Sequence, residues 1–547
     1  MAEQLLSAPG RPSALALRRL LCALTATLVG LTQGFGLNLV SANLAAIQGS
    51  LGATAAEASW LSTAYFASAL SSSLLLVKFR LHFGLQWFAS LGLLFFLAVA
   101  SLHLLADDLV SAVAARAALG LAAAPLSTLA VLYMIEAFPP RLAPVGLLLG
   151  FATLQLGAPL SRVVSTDLLE VGQWHGLFLL DVALALMSLA AIHGVRLAPA
   201  PTRPAFSRGD LVAFPLYAGG LALLSVALSQ GRLRWWTDTP WLGVCLAAAL
   251  GCIGLYALVE LHRRAPMIDL RWLAQPYMLR FIAAVLLFRV VLSEQTVGVV
   301  GLMTVLGQSN EQMRLLFALA SLALLAGFVL AIALAARGAS PWLAPLAMAL
   351  AMLAAWADAD ATALSRPEQF LATQALLALA LGVFFSASCL LGFGPVVQDG
   401  SRNLVSFIAA FSAAQYLGSL LGSAWIATFV AERQSWHYAA LAQHLSLADP
   451  QVATRIGQLA RSVAPVVGDP AARGLQGAAL LAQQVTREAF VLAYDDLFRA
   501  IALLAAALLP WLGWLGWRGW RRERAGRAAA PVTPAAPPSP PTLQDSP

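Results

Sequence analysis

Long apolar stretches separated by short polar ones run almost the full length of this 547-residue chain. Each is close to 20 residues, the length a helix needs to cross a hydrocarbon core of about 30 Å. Lipid tolerates only spanning helices or closed barrels, because neither leaves a backbone amide unpaired. The stretches are rich in Ala and Leu and do not alternate with period two, so helices are expected. Fourteen spans are predicted, at 20–46, 59–79, 84–105, 109–134, 143–165, 175–196, 210–230, 240–261, 279–305, 312–335, 341–357, 369–391, 403–430 and 491–517. The expected fold class is an all-α polytopic membrane protein.

The spacing of the spans suggests a division. Residues 1–19 precede the first span, and 20–196 hold six spans. Residues 197–278 contain a linker with Pro199, Pro201 and Pro204, followed by two further spans, and 279–517 hold the last six. Two similar six-helix bundles with an inserted helix pair are therefore expected, an arrangement suited to rocking about a midplane site. No small-residue cleavage site follows the first span, which reads as a retained helix. The segment 431–490 is long, with helical apolar spacing around 434–447 and 473–490. It reads as one or two amphipathic helices, serving either as a passive connection or as a surface for substrate or partner. The Pro-rich stretch within 518–547 cannot bury a core and reads as a disordered tail.

Charge fixes the expected orientation. The net charge of +7 comes from 32 arginines and one lysine, Lys78. One set of connecting segments holds Lys78, Arg80, Arg141, Arg196, Arg208, Arg263 and Arg271, and the tail adds Arg518, Arg521 and Arg522. The opposite short loops hold only Arg232, Arg234, Arg314 and Arg366, beside acids such as Asp107, Asp108, Asp167 and Asp358. By the positive-inside rule both termini are cytoplasmic, and the basic balance points to a membrane rather than to nucleic acid. Cys22, Cys245, Cys252 and Cys389 all lie in apolar blocks, without a disulfide framework or metal-ligand spacing. No Walker A sequence and no GxSxG motif occurs, so neither an ATP-driven pump nor a hydrolase is expected, and no cofactor or metal.

The candidate chemistry lies in the few polar groups at membrane depth. Glu294 and Arg289 interrupt an apolar run, and a charge there costs several kcal/mol or more, which makes it a functional candidate. Five residues apart, about 140° around a helix, they do not share a face, and each needs a partner elsewhere. Glu294 suits proton binding, with a static interhelical ion pair as the alternative. Asp181, inside the sixth span, is a second proton candidate, or else a carboxylate bonded to backbone, Ser or Thr. Arg116 should face a bundle interior, to bind an anion or to pair. In the first span Gln33, Asn38 and Ser41 are too polar to face lipid, and with Tyr65 and Gln155 they suggest a mixed polar and aromatic substrate site. Gly30 with Gly34, and Gly418 with Gly422, are GxxxG pairs suited to close helix packing. Asp495 and Asp496 read as a solvated start of the last span.

The ordered motifs resemble a known family. Asn43-Leu44-Ala45-Ala46-Ile47, Glu57-Ala58-Ser59-Trp60, Arg116-Ala117-Ala118-Leu119-Gly120, Gly157-Ala158-Pro159, Trp174 to Phe178, Glu260 with Pro266-Met267-Ile268-Asp269, and Tyr494-Asp495-Asp496-Leu497-Phe498 follow one another as in the fourteen-span drug:proton antiporters of the major facilitator superfamily. Within that family the chain looks like the inner-membrane pumps that work with a periplasmic adaptor. It departs from the pattern at Asn38 (usually Asp), Leu81 (usually Asp), Arg162 and Val163 (usually glycines) and Asp181 (usually Asn). The resemblance implies proton-driven efflux of small amphiphiles from a bacterial inner membrane, an adaptor and outer-membrane channel as partners, and a part for Arg116 in proton transfer. Two rival readings remain: a dedicated exporter of one anionic metabolite or siderophore, in which Arg116, Arg162 and the substrate-binding candidate Arg289 would favour the anion, and a transport-inactive scaffold or sensor docking through 431–490.

Overall fold

A computed structural model describes residues 12–529 except 173, 198–201, 203–205, 264–265, 399–402 and 447. Residues 1–11, the linker prolines Pro199, Pro201 and Pro204, and the tail from 530 lie outside the described residues. Among the described residues there is helix and no strand. Thirteen helical segments are long and apolar enough to cross a membrane. The remaining expected span falls on a further helix of 29 residues, Ala55–Phe83.

The first bundle comprises α1 (Pro12–Ala42), α2 (Ala55–Phe83), α3 (Leu85–Leu102), α4 (Leu109–Ala137), α5 (Ala143–Gln155), α6 (Gly157–Gly172) and α7 (His175–Gly194). Helix α4 is its hub, packed on α1, α2 and α3. The inserted pair is α8 (Asp210–Gln230) and α9 (Pro240–His262). The second bundle holds α10 (Pro276–Ser293), α11 (Arg314–Ala336), α12 (Leu343–Ala357), α13 (Leu371–Gln398), α14 (Leu404–Gln443) and, after the short α15 (Pro450–Ser462), α16 (Pro470–Ala529). Here α13 packs on α11 and α12, and α16 on α12 and α14. Large apolar side chains such as Leu211, Leu250, Leu322 and Val329 stay exposed. In water they would form sticky patches; on this multi-pass membrane protein they face lipid.

Local chemistry sets the ends of these helices. A capping box starts α2, with Thr54 and Glu57 each serving the other's backbone amide. Asp108 caps α4, accepting from the amides of Val110 (3.1 Å) and Ser111 (3.4 Å). The Ser111 hydroxyl, more than those amides, holds the Asp108 carboxyl below its ordinary value. Gly84 takes φ +86° at the turn between α2 and α3, where a side chain would be strained. Both GxxxG pairs are contact points. Gly34 meets Gly157, and Gly418 and Gly422 meet Arg289 and Ser293 of α10.

Four expected spans differ in detail. The first ends at Ala42 rather than 46, and buried Asn43 separates it from the short helix Leu44–Ser50. The fifth breaks between Gln155 and Gly157 and continues to Gly172. The ninth is interrupted by a π-helical turn, Glu294–Val299, before a last α turn, Val300–Val305. The thirteenth, α14, runs 40 residues, to Gln443. Segment 431–490 thus holds an extension of α14, the separate α15 and the start of α16, a 60-residue helix with α15 packed on it. Asp495 and Asp496 are therefore no helix start. They lie inside α16, where Asp495 accepts from the Ala361 amide (3.0 Å) and Asp496 from Arg433 (2.7 Å) and His437 (2.7 Å).

Candidate functional site

The first polar centre is built on the π turn of the ninth span. Such a turn inserts one residue and recurs at functional sites. It opens on Glu294, which is fully buried. The Gln374 amide nitrogen, from α13, donates to Glu294 Oε1 (3.1 Å) and to Asp358 Oδ2 (2.8 Å). Asp358 sits at the end of α12 and is itself buried, within hydrogen-bonding reach of Glu294. Gln295 holds the arrangement from below by donating to the Gln374 carbonyl (3.0 Å). Glu294 Oε2 and Gln374 Oε1 have no partner. Two carboxyls thus share one amide in the membrane, with no cation paired to either among the described residues.

The second centre lies in the first bundle. Arg116 on α4 is 1% exposed. It donates to the Gly36 carbonyl of α1 (2.9 Å) and more weakly to the Leu61 carbonyl of α2 (3.4 Å). Its guanidinium stands 4.5 Å from the centre of the Tyr65 ring. Asp181 on α7 is buried, feels Arg116 electrostatically and leaves Oδ1 without a partner. Gly120, one turn beyond Arg116, lets α4 approach the Tyr65 carbonyl and Ser68, where a Cβ would collide.

A third group lies at the seam between the bundles. Arg289 on α10 forms no ion pair among the described residues, and its Nε has no hydrogen-bond partner. It interacts electrostatically with Tyr416 on α14, whose ring meets Phe66 of α2 at 6.2 Å. Gln415, beside Tyr416, leaves both ends of its amide unpartnered.

The comparisons with known proteins fit this architecture. Residues 26–294 match the family model described as Major Facilitator Superfamily. Two solved structures share their fold with this chain over most of its length. A bacterial homologue of the human drug peptide transporters PepT1 and PepT2 is 14% identical with a TM-score of 0.53, over 91% of this chain and 99% of that one. Tetrameric PepTSo2 is 15% identical with a TM-score of 0.52, over the same shares. No curated protein matches the chain significantly. The molecule is a multi-pass helical membrane protein with the major facilitator fold.

In this fold the expected substrate residues are spread over several surroundings. Gln33 is buried, Asn38 is half-buried and bonds the Gly34 carbonyl of its own helix (2.8 Å), and Ser41 is exposed, its hydroxyl donating to the Asn38 carbonyl (3.0 Å). Gln155 is half-buried at the break between α5 and α6. Tyr65 is buried, with its hydroxyl unpartnered. The structure thus groups Arg116, Tyr65 and Asp181, and separately Arg289 with Tyr416 and Gln415, while Glu294 stands apart with Gln374 and Asp358.

Sequence reasoning did not single out Asp358, Gln374, Gln415 or Asn310. Asn310 joins the bundles: it donates to the Ala42 carbonyl (2.9 Å) and Asn43 Oδ1 (3.1 Å), and accepts from Arg162 (2.9 Å). Arg314 forms a two-pronged pair with Asp167 beside it (3.2 and 2.8 Å). These contacts close the seam at the end of the molecule opposite the chain termini. A glutamine within an apolar block, as at 374 and 415, was the available signal.

Proposed function

We propose that this transporter is a proton-driven exporter of small amphiphilic compounds in a bacterial inner membrane, with both termini cytoplasmic. The supporting observation is the carboxyl pair at the π turn. Two acids sharing one amide donor, away from any cation, favour a state that holds a proton between them. A proton entering from the loop-bearing face reaches Asp358 first, at the end of α12, and Glu294 next. Losing it toward the termini face changes the charge of the second bundle and biases the rocking of the two halves. Arg116 and Asp181 give the first bundle a second charge-sensitive contact. The polar groups Gln33, Asn38, Ser41, Tyr65 and Gln155 contact substrate as it passes. The α14–α15–α16 projection is the surface that a periplasmic adaptor, and through it an outer-membrane channel, would use.

Inverted membrane vesicles test this reading. They are energised to an acidic interior, loaded with a pH-sensitive dye, and offered cationic, neutral and anionic amphiphiles. Substrate-induced alkalinisation is expected in the wild type and should vanish in Glu294→Gln. Active efflux and proton countertransport that survive neutral substitution of both Glu294 and Asp181 would sink the coupling scheme.

A further inference from the structure

The arginines and carboxylates at membrane depth form no ion pairs with one another among the described residues. The acids Glu294 and Asp358 pair with each other through Gln374 inside the second bundle. None of the three arginines Arg116, Arg162 and Arg289 forms an ion pair with a carboxylate among the described residues. Arg116 spends its donors on backbone carbonyls, and Arg162 on the Asn310 side chain. Arg289 retains a buried Nε with no acceptor at all. A charge left unpaired at such depth is costly and normally finds a counter-charge.

The surroundings of Arg289 show where that counter-charge would come from. Gly418 of α14 packs directly against the Arg289 Cβ, which brings the two helices together there. Side chains on a helix lean toward its N-terminus, so Arg289 leans toward the level of Gln415, one turn before Gly418. Gln415 offers an amide with both ends free. One turn further toward the termini face, Phe411 meets Phe281 of α10, Phe385 of α13 and Phe151 of α5 at centroid separations of 6.2, 5.7 and 6.2 Å. Unsatisfied donors therefore stand above an aromatic floor that both bundles help to build.

We infer that the seam beside Arg289 binds an organic anion with an aromatic or other flat apolar body, its acidic head on Arg289 and Gln415 and its body on the phenylalanines around Phe411. This deepens the export reading by naming the substrate class, and it rests on that reading only for the direction of movement. Arg289 supplies the charge. Gln415 orients the head by a hydrogen bond that forms only when an acceptor is present.

The test uses three isosteric probes on the purified full-length protein: 2-naphthoate, its neutral amide and the cation 2-naphthylmethylammonium. Binding is read by ligand-dependent thermal shift and by quenching of tryptophan fluorescence. The naphthoate should bind in preference to the other two. Arg289→Gln should weaken it by about ten- to hundredfold, the range for a charge-assisted bond, with little change for the neutral amide. Gln415→Leu, which keeps every charge, should weaken it less and serves if the arginine variant does not fold. Binding of the cation alone, of none of the probes, or of naphthoate equally by wild type and both variants overturns the inference. Proton-driven uptake of the same probes in vesicles is scored separately. A cation that is exported defeats the anion site and leaves the export reading standing, whereas an anion that binds but does not respond to the proton gradient does the reverse.

Discussion

Gln374 is the residue on which the acid pair depends. Its single amide nitrogen serves Glu294 and Asp358, so Gln374→Leu leaves two buried acceptors facing each other. The expected cost is about 1–3 kcal/mol for each unsatisfied group, read as a lower thermal midpoint in detergent at neutral pH. Acidification supplies the missing donor by protonating one of the acids, so the deficit should shrink as pH falls. A deficit that grows on acidification would show that the acids do not share the site. Part of this was legible in the sequence. Glu294 stood out because an acid in an apolar run needs either a function or a partner on another helix. Asp358 did not, because an acid just past the end of a span is ordinary, and its closeness to Glu294 depends on α12 and α13 packing together rather than on local pattern. Arg289 was legible as a charge but not as a charge without a partner, since pairing is a property of neighbouring helices.

At the scale of elements, the π turn is the departure that no periodicity revealed, since one extra residue in an apolar helix leaves the composition unchanged. Deleting Thr296, which points outward from that turn, should restore regular α register and rotate Glu294 by about 100° relative to the helix beyond it. The variant is expected to reach the membrane folded and to lose substrate-dependent proton movement; retention of coupling would show that the turn is incidental. The inserted pair offers a second element-scale test. On the termini face Asp210 of α8 binds Lys78 of α2 (2.5 Å) and Arg263 (2.6 Å), and Glu260 of α9 takes Arg263 together with the Met267 amide. Lys78 thereby finds a partner in the inserted pair, although Leu81 near it in sequence supplies no acid. Asp210→Asn strands two mostly buried cations and should cost about 3 kcal/mol, seen as a lowered thermal midpoint. Replacing 444–469 by a short Gly-Ser linker should spare transport in vesicles, because Arg433 and His437 still join α14 to α16 through Asp496. It should abolish drug resistance in whole cells if the projection docks an adaptor.

The whole molecule consists of two bundles meeting along two seams, and the order of the spans was readable in the sequence because apolar length alone marks thirteen of the fourteen expected among the described residues. The conformation adopted was not, because it depends on which seam contacts form. Here the seam between α6 and α11 is closed at the loop-bearing end by Asn310, Arg162 and the Arg314–Asp167 pair. Asn310→Leu removes two donated bonds worth about 1 kcal/mol each and should shift the balance toward an open loop-bearing face by roughly ten- to thirtyfold. Spin labels at Glu170→Cys and Glu311→Cys, with the four native cysteines replaced, would report this as a longer-distance population in pulsed electron resonance. An unchanged distance distribution would mean that the polar contacts do not hold that face shut.

Helix α8 lies along the other seam and packs against α2 of one bundle and α14 of the other. Gln230 at its far end reaches Ser59 (2.9 Å) and Thr63 (3.2 Å) of α2, while Trp236 just beyond reaches Thr428 of α14 (2.9 Å). The halves are thus bound along one edge by a helix, like the boards of a book at its spine, while the other edge is held at the loop-bearing end by side-chain contacts, as by a clasp. On the export reading, a compound already dissolved in the bilayer would slip sideways between the halves at the fore-edge, drawn from whichever leaflet faces the gap when the clasp opens.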